Sequence, residues 1–133
     1  MARSSQSFHL PTLFGALADP TRLRLLNLMR GREVCVCYFV EVLRQSQPKI
    51  SRHLAYLRKA GIVAARRDGK WMHYRIERPK EARAASILDV TLESLATDRT
   101  MQADLARLSQ ACCAPQGFVS LQGAPVPAQL SAN

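Results

Sequence analysis

Apolar residues recur at helical spacing between positions 10 and 18 (Leu10, Leu13, Phe14, Leu17), and the pattern stops at Asp19-Pro20, which predicts a first helix. Asp19 then caps a second helix with Pro20 in its first turn. Leu23, Leu25, Leu26, Leu28 and Met29 make that helix apolar almost all round before Gly31 ends it, so it is predicted to be largely buried. A short third helix is predicted from about Val36 to Leu43. Gln45-Ser46-Gln47 reads as a tight polar turn, and Pro48 opens a fourth helix that runs to Ala60 and stops at Gly61. Ile50, Leu54 and Leu57 share one face of this fourth helix, Arg52, Ala55, Tyr56 and Lys59 point away, and Lys49 and Ser51 lie on the flanks. A short helix, a three-residue turn and an amphipathic helix with a cationic outer face make a helix-turn-helix pattern.

Two strand-forming segments follow, Ile62 to Arg67 and Trp71 to Ile76, separated by the hairpin signal Asp68-Gly69. A basic hairpin after such a helix reads as a wing, whose tip carries Arg66, Arg67 and Lys70 for contact with backbone phosphates. From about Pro79 to Ala111 runs a long helical pattern with Leu88, Leu92, Leu95, Met101, Leu105, Leu108 and Cys112 in one stripe. Unbroken, about thirty residues span roughly 45 Å, more apolar stripe than so small a core can bury, which predicts a dimer seam. A break near Thr97-Asp98 is the alternative. Residues 113–133 are rich in Pro, Gln, Gly, Ser and Ala and are expected to form a disordered tail behind a single domain spanning 8–112. The fold class is α+β and mainly helical: a winged helix-turn-helix with a two-stranded wing and N- and C-terminal dimerisation helices.

A chain of 133 residues, 47% hydrophobic and 22% charged, is the size of one domain and too apolar for wholesale disorder. No apolar run approaches the ~20 residues of a membrane span, and MARSSQSFHL lacks the apolar stretch of a secretory signal, so the expected location is the cytoplasm. The net charge of +9 sharpens the picture: residues 44–83 hold twelve basic groups against three acids, while the rest is balanced, seven against seven. Charge confined to one segment is the footprint of a phosphate-binding surface, and double-stranded DNA is the expected partner. The candidate contacts on the fourth helix are Gln47, Lys49, Ser51, Arg52 and His53. Gln and Arg suit adenine and guanine edges, Lys49 and Ser51 suit phosphates or bases, and His53 sits where packing and groove contact are equally open.

Four cysteines come as Cys35-Val-Cys37 and Cys112-Cys113. Neither pair has redox C-x-x-C spacing, and a disulfide framework does not suit a reducing compartment. Single cysteines are most simply packing residues, but two close pairs favour ligation. In a regular helix Cys35 and Cys37 diverge by about 200°, so gripping one ion requires an irregular helix start. Ion binding is therefore expected to unwind or shift that first turn. Without a Gly-rich cofactor loop or a clustered acid-base set, no enzyme activity and no catalytic cofactor are expected.

The runs ALADPTRLRLLNLM (16–29), EVCVC (33–37), SQPKISRHLAYLRKAGIV (46–63) and RDGKWMHYRI (67–76) together resemble the ArsR/SmtB family of metal-responsive repressors, and within it the arsenic-responsive branch. The resemblance covers residues 10 to 80. It implies a homodimer, joined by its first and last helices, that represses an arsenic-resistance operon and leaves operator DNA when trivalent arsenic (arsenite or a methylated arsenical) or antimony binds cysteine thiolates. Glu33, Cys35, Val36 and Cys37 match the family's metalloid motif, whereas Tyr38 replaces its acidic residue and Val40 its third cysteine. A third sulfur would then come from Cys112 or Cys113, within one subunit or across the dimer. Alternatively one pair works alone, which suits a methylated arsenical. A thiol-based redox sensor and a cadmium or lead sensor are the rival readings on the same scaffold. The family's zinc site on the last helix has no counterpart, because no histidine lies beyond His73; His9 and His73 read as surface or packing residues.

Overall fold

The computed structural model describes residues 8–114, 117–118 and 121–130. Helix α1 (Leu10–Leu17) leads to α2 (Pro20–Leu28), whose N-cap Asp19 accepts hydrogen bonds from the Thr21 and Arg22 amides at 2.8 and 3.0 Å. Helix α3 (Val36–Leu43) ends at Arg44, which adopts a left-handed conformation (φ 56°), and α4 (Gln47–Lys59) starts from an N-cap at Ser46. The turn residues and Pro48 thus fall where their chemistry places them, with Gln47 already helical ahead of the proline. Ile50, Leu54 and Leu57 are fully buried, as the 3.6-residue period requires.

The expected two-stranded wing is present and belongs to a larger sheet. A strand absent from the sequence reading, β1 (Arg32–Cys35), joins β2 (Val63–Asp68) and β3 (Trp71–Ile76), and the antiparallel order is β2-β3-β1-β4. Four residues are too few to display a two-residue period, so β1 is made by its pairing with β3 and not by its own pattern. The hairpin turn is also displaced by one residue. Asp68 pairs with Trp71, leaving Gly69 (φ 62°) and Lys70 as the central pair. Only Gly is comfortable at that first position.

The long C-terminal helix is in fact two. α5 (Ala82–Leu95) ends before Asp98, whose side chain caps α6 (Arg99–Cys113) by accepting from the Met101 amide at 3.1 Å. The chain therefore turns back, and the predicted stripe splits. Met101, Leu108 and Ala111 of α6 are buried in their own subunit against α2 and α3. Asp104, almost fully buried, receives a two-pronged ion pair from Arg24 (2.7 and 2.9 Å), and the Asn27 amide donates to the Met101 carbonyl at 3.0 Å. Exposed apolar side chains lie instead on α1 (Leu10, Phe14) and α5 (Val90).

The segment after Cys113, expected to lack order, runs back along the domain in its described part. Leu121 is buried, Phe118 and Ala124 pack on the core, and β4 (Ala128–Gln129) covers the edge of β1 through Arg32↔Gln129 and Glu33↔Ala128. A low-complexity composition hides a few apolar anchors and an edge strand in need of pairing. Residues 1–7, where a signal segment was sought, and 131–133 of the tail lie outside the described residues.

Candidate nucleic-acid interface and thiol site

On α4, Gln47, Lys49 and Arg52 are exposed and Ser51 is half-buried, while the apolar face anchors the helix. Arg22, which the sequence reading passed over, fixes how α4 sits. Its guanidinium donates to the carbonyls of Ala16 (3.0 Å) and Gly15 (2.8 Å) at the end of α1, and lies 4.1 Å from the centre of the Tyr56 ring. Its Nη1 also donates to His53 Nδ1 at 3.2 Å. His53 is thus held inside the subunit: burial lowers its pKa, as do the charges of Arg22, Lys49 and Arg52, against an opposing pull from Asp19.

Arg67 and Lys70 stand exposed at the wing tip, Lys70 over the Trp71 ring at 4.9 Å. Arg66, expected at the wing tip for contact with phosphates, is also tied to Glu33. Its Nη2 donates to Glu33 Oε1 at 2.8 Å and its Nε lies 3.3 Å from both carboxylate oxygens. This hydrogen bonding holds the Glu33 carboxyl below the usual range despite burial. The signal that would have found the pair is β1 itself, since only a strand places Glu33 and Cys35 on one face.

Cys35 is the last residue of β1 and the N-cap of α3, with extended backbone (φ −71°, ψ 143°), whereas Cys37 is already helical. The strand-to-helix junction makes the two side chains converge, and the Cys37 thiol donates to the Cys35 sulfur at 3.1 Å. The irregular helix start that chelation requires is thus built into the fold, and no unwinding is needed to create it. Donation from Cys37, together with the amides of Cys37, Val36 and Met72, pulls the Cys35 thiol down to about 7 against the opposing cost of burial. A thiol at a helix N-terminus is activated in this way because the first-turn N–H groups favour an anion. The same shared proton pushes Cys37 up: once Cys35 is a thiolate, Cys37 is the donor that holds it.

Cys112 is half-buried on α6 and raised by burial, and Cys113 is exposed. Cys112 lines a cavity of about 250 Å³ with Arg32, Leu108 and the returning segment at Val126 and Gln129. Among the described residues, no three His, Cys, Asp or Glu side chains are grouped to hold a metal. Cys35, Cys37 and Cys112 all act electrostatically on the Tyr38 hydroxyl, so Tyr38 lies near both cysteine pairs. The Tyr38 hydroxyl is buried without a partner, and burial and then the charges of Cys112, Cys37 and Cys35 raise its pKa.

A helix-turn-helix with a cationic recognition helix, followed by a basic hairpin, defines a winged-helix DNA-binding regulator. The chain belongs to the ArsR family. Residues 19–65 match the family described as "Bacterial regulatory protein, arsR family". The chain is 52% identical over 85 residues to the "Arsenical resistance operon repressor" of Escherichia coli, covering 62% of this chain and 73% of that one. It is 43% identical over 105 residues to the "Arsenic resistance transcriptional regulator ArsR1" of Pseudomonas putida, covering 75% and 82%. Its fold matches the crystal structure of the transcriptional repressor BigR from Xylella fastidiosa with a TM-score of 0.53 and 29% identity, over 67% of this chain and 88% of that one. No helix among the described residues is long and apolar enough to cross a membrane.

Proposed function

We propose that this regulator represses an arsenic-resistance operon and leaves its operator when trivalent arsenic or antimony binds Cys35 and Cys37. The observation that carries the reading is the 3.1 Å approach of these two sulfurs at the start of the helix preceding the recognition helix. The names of the Escherichia coli and Pseudomonas putida relatives support the choice of inducer. Thiolates are the preferred ligands of soft ions. Each As–S bond replaces an As–O bond, the thiol proton leaving with the hydroxide as water, and no electron is transferred. Two sulfurs leave the third position on arsenic to another group, so the site suits arsenite and a methylated trivalent arsenical alike.

Release follows from where the thiols sit. α3 packs against α4 and is held at its other end by Arg107, which donates to the Val42 and Glu41 carbonyls at 3.1 and 3.2 Å. A displacement at the α3 N-terminus is therefore passed to the turn at Gln45, whose amide donates to the Thr21 hydroxyl at 3.2 Å, and to α4. In this reading Gln47 and Arg52 meet base edges, and Lys49, Ser51, Arg67, Lys70 and the outer edge of Arg66 meet phosphates. The operative unit is a cytoplasmic homodimer with residues 8–112 as its DNA-binding and dimerisation domain, joined through the exposed apolar faces of α1 and α5, where Phe14, Leu17 and Leu95, with Leu23 of α2, line a shallow groove. The close sulfurs and the low Cys35 pKa also favour a second reading, disulfide formation between Cys35 and Cys37 under peroxide.

Fluorescence anisotropy of labelled promoter DNA, titrated with reduced protein and then with arsenite, a methylated trivalent arsenical, cadmium and peroxide, tests the proposal. Release by the arsenicals supports it. Release by peroxide alone replaces it with the redox reading, and tight binding that none of the four disturbs overturns it.

A further inference from the structure

We propose that the Glu33–Arg66 ion pair is the link by which the thiol site acts on the wing, with Glu33 as a positioning residue for DNA binding by Arg66. The inference rests on the sensing role proposed for Cys35 and Cys37, and it adds a second route to DNA beside the α3–α4 contact.

The sheet register carries it. Cys35 of β1 and Arg66 of β2 are both opposite His73 of β3, so the three stand in one row across the sheet. Opposed residues of an antiparallel sheet project from the same face, and so do residues two apart on a strand. Glu33 and Cys35 therefore share a face with Arg66. Because β3 separates β1 from β2, the Glu33–Arg66 pair reaches over the central strand and ties the two outer strands together. Glu33 is 10% exposed at its side chain and Arg66 50%. The carboxylate thus holds one edge of the guanidinium against the sheet, and the other edge faces solvent, where a phosphate can meet it. Cys35 sits at the hinge of this arrangement: two residues from Glu33 on the same short strand, with its sulfur also receiving the Met72 amide of β3. A ligand that repositions Cys35 must strain β1, and β1 carries the carboxylate that aims Arg66. Arg67, next in sequence, projects from the opposite face and has no such tie to Glu33.

The test compares operator affinity with and without arsenite for the full-length wild type, E33Q, R66Q, the double variant and R67Q, alongside arsenic retained per protein after desalting. An allosteric wild type weakens about 5- to 150-fold on ligation. In E33Q and R66Q the ratio falls by several-fold towards one while arsenic is still retained, and the double variant falls no further than either single change. R67Q loses affinity in both states and keeps the wild-type ratio. R66Q alters an exposed side chain, so it reads the link even if E33Q folds poorly. Wild-type ratios in R66Q and E33Q with arsenic retained overturn the link alone. A wild type that binds DNA and ignores arsenite overturns the sensing role, and the link with it.

Discussion

The two cysteine pairs are opposite cases of the relation between spacing and convergence. Cys112 and Cys113 are neighbours in sequence, yet a helix turns them about 100° apart, and one is half-buried while the other faces solvent. Cys35 and Cys37 are separated by a residue, yet a change from strand to helix between them brings their sulfurs to 3.1 Å. A converging pair of thiols is thus created by a junction of secondary structure more than by proximity in the chain. The junction also supplies first-turn amides that make one sulfur a thiolate near neutral pH, while burial on α6 makes Cys112 a weaker acid.

The largest expected effect is functional. Cys37→Ser leaves Cys35 without its thiol partner, and arsenite then fails to release operator DNA at concentrations that release the wild type, as read by anisotropy. Next comes a structural change aimed at the other pair. Arg24→Met leaves Asp104 buried without its counter-charge and is expected to cost about 3 kcal/mol in urea unfolding, at the low end for such pairs because Arg24 is partly exposed. That change loosens α6 and Cys112, and the thiol titration of Cys35 is expected to stay where it is.

The smallest effect is a shift of that titration. In the wild type, ultraviolet thiolate absorbance rises through a first step near 7, and Cys37→Ala, which removes the side-chain donor, moves the step up towards the ordinary value of 9.0. The depressed Cys35 pKa has a consequence for stability whose sign is fixed. Taken alone, Cys35 binds its proton more weakly in the folded chain than in the unfolded one, so its contribution is lost as pH falls through about 7. Cys112→Ser leaves the step near 7 unchanged.

The helices were legible in the sequence because each carries its own punctuation. Asp19-Pro20, Ser46 before Pro48, and the Ile50, Leu54, Leu57 face are local signals, and they place α2 and α4 without knowledge of the rest. Gly69 likewise announced a hairpin, though not its register. What stayed hidden depends on partners distant in the chain. β1 exists because β3 pairs with it, the fold-back of α6 is set by Arg24 meeting Asp104 across 80 positions, and the returning segment is held by Leu121 and the open edge of β1. The thiol site inherits this division. Cys35 and Cys37 were identifiable as candidate ligands, but the helical geometry assumed for them set their side chains apart, because the strand that turns them together was not visible.

The central claim is that the Cys35–Cys37 pair suffices as the inducer site. Operator release by arsenite in the C112S/C113S double variant tests it most directly. The account predicts release with the wild-type arsenite midpoint, and retention of the operator at arsenite concentrations that free the wild type would contradict it.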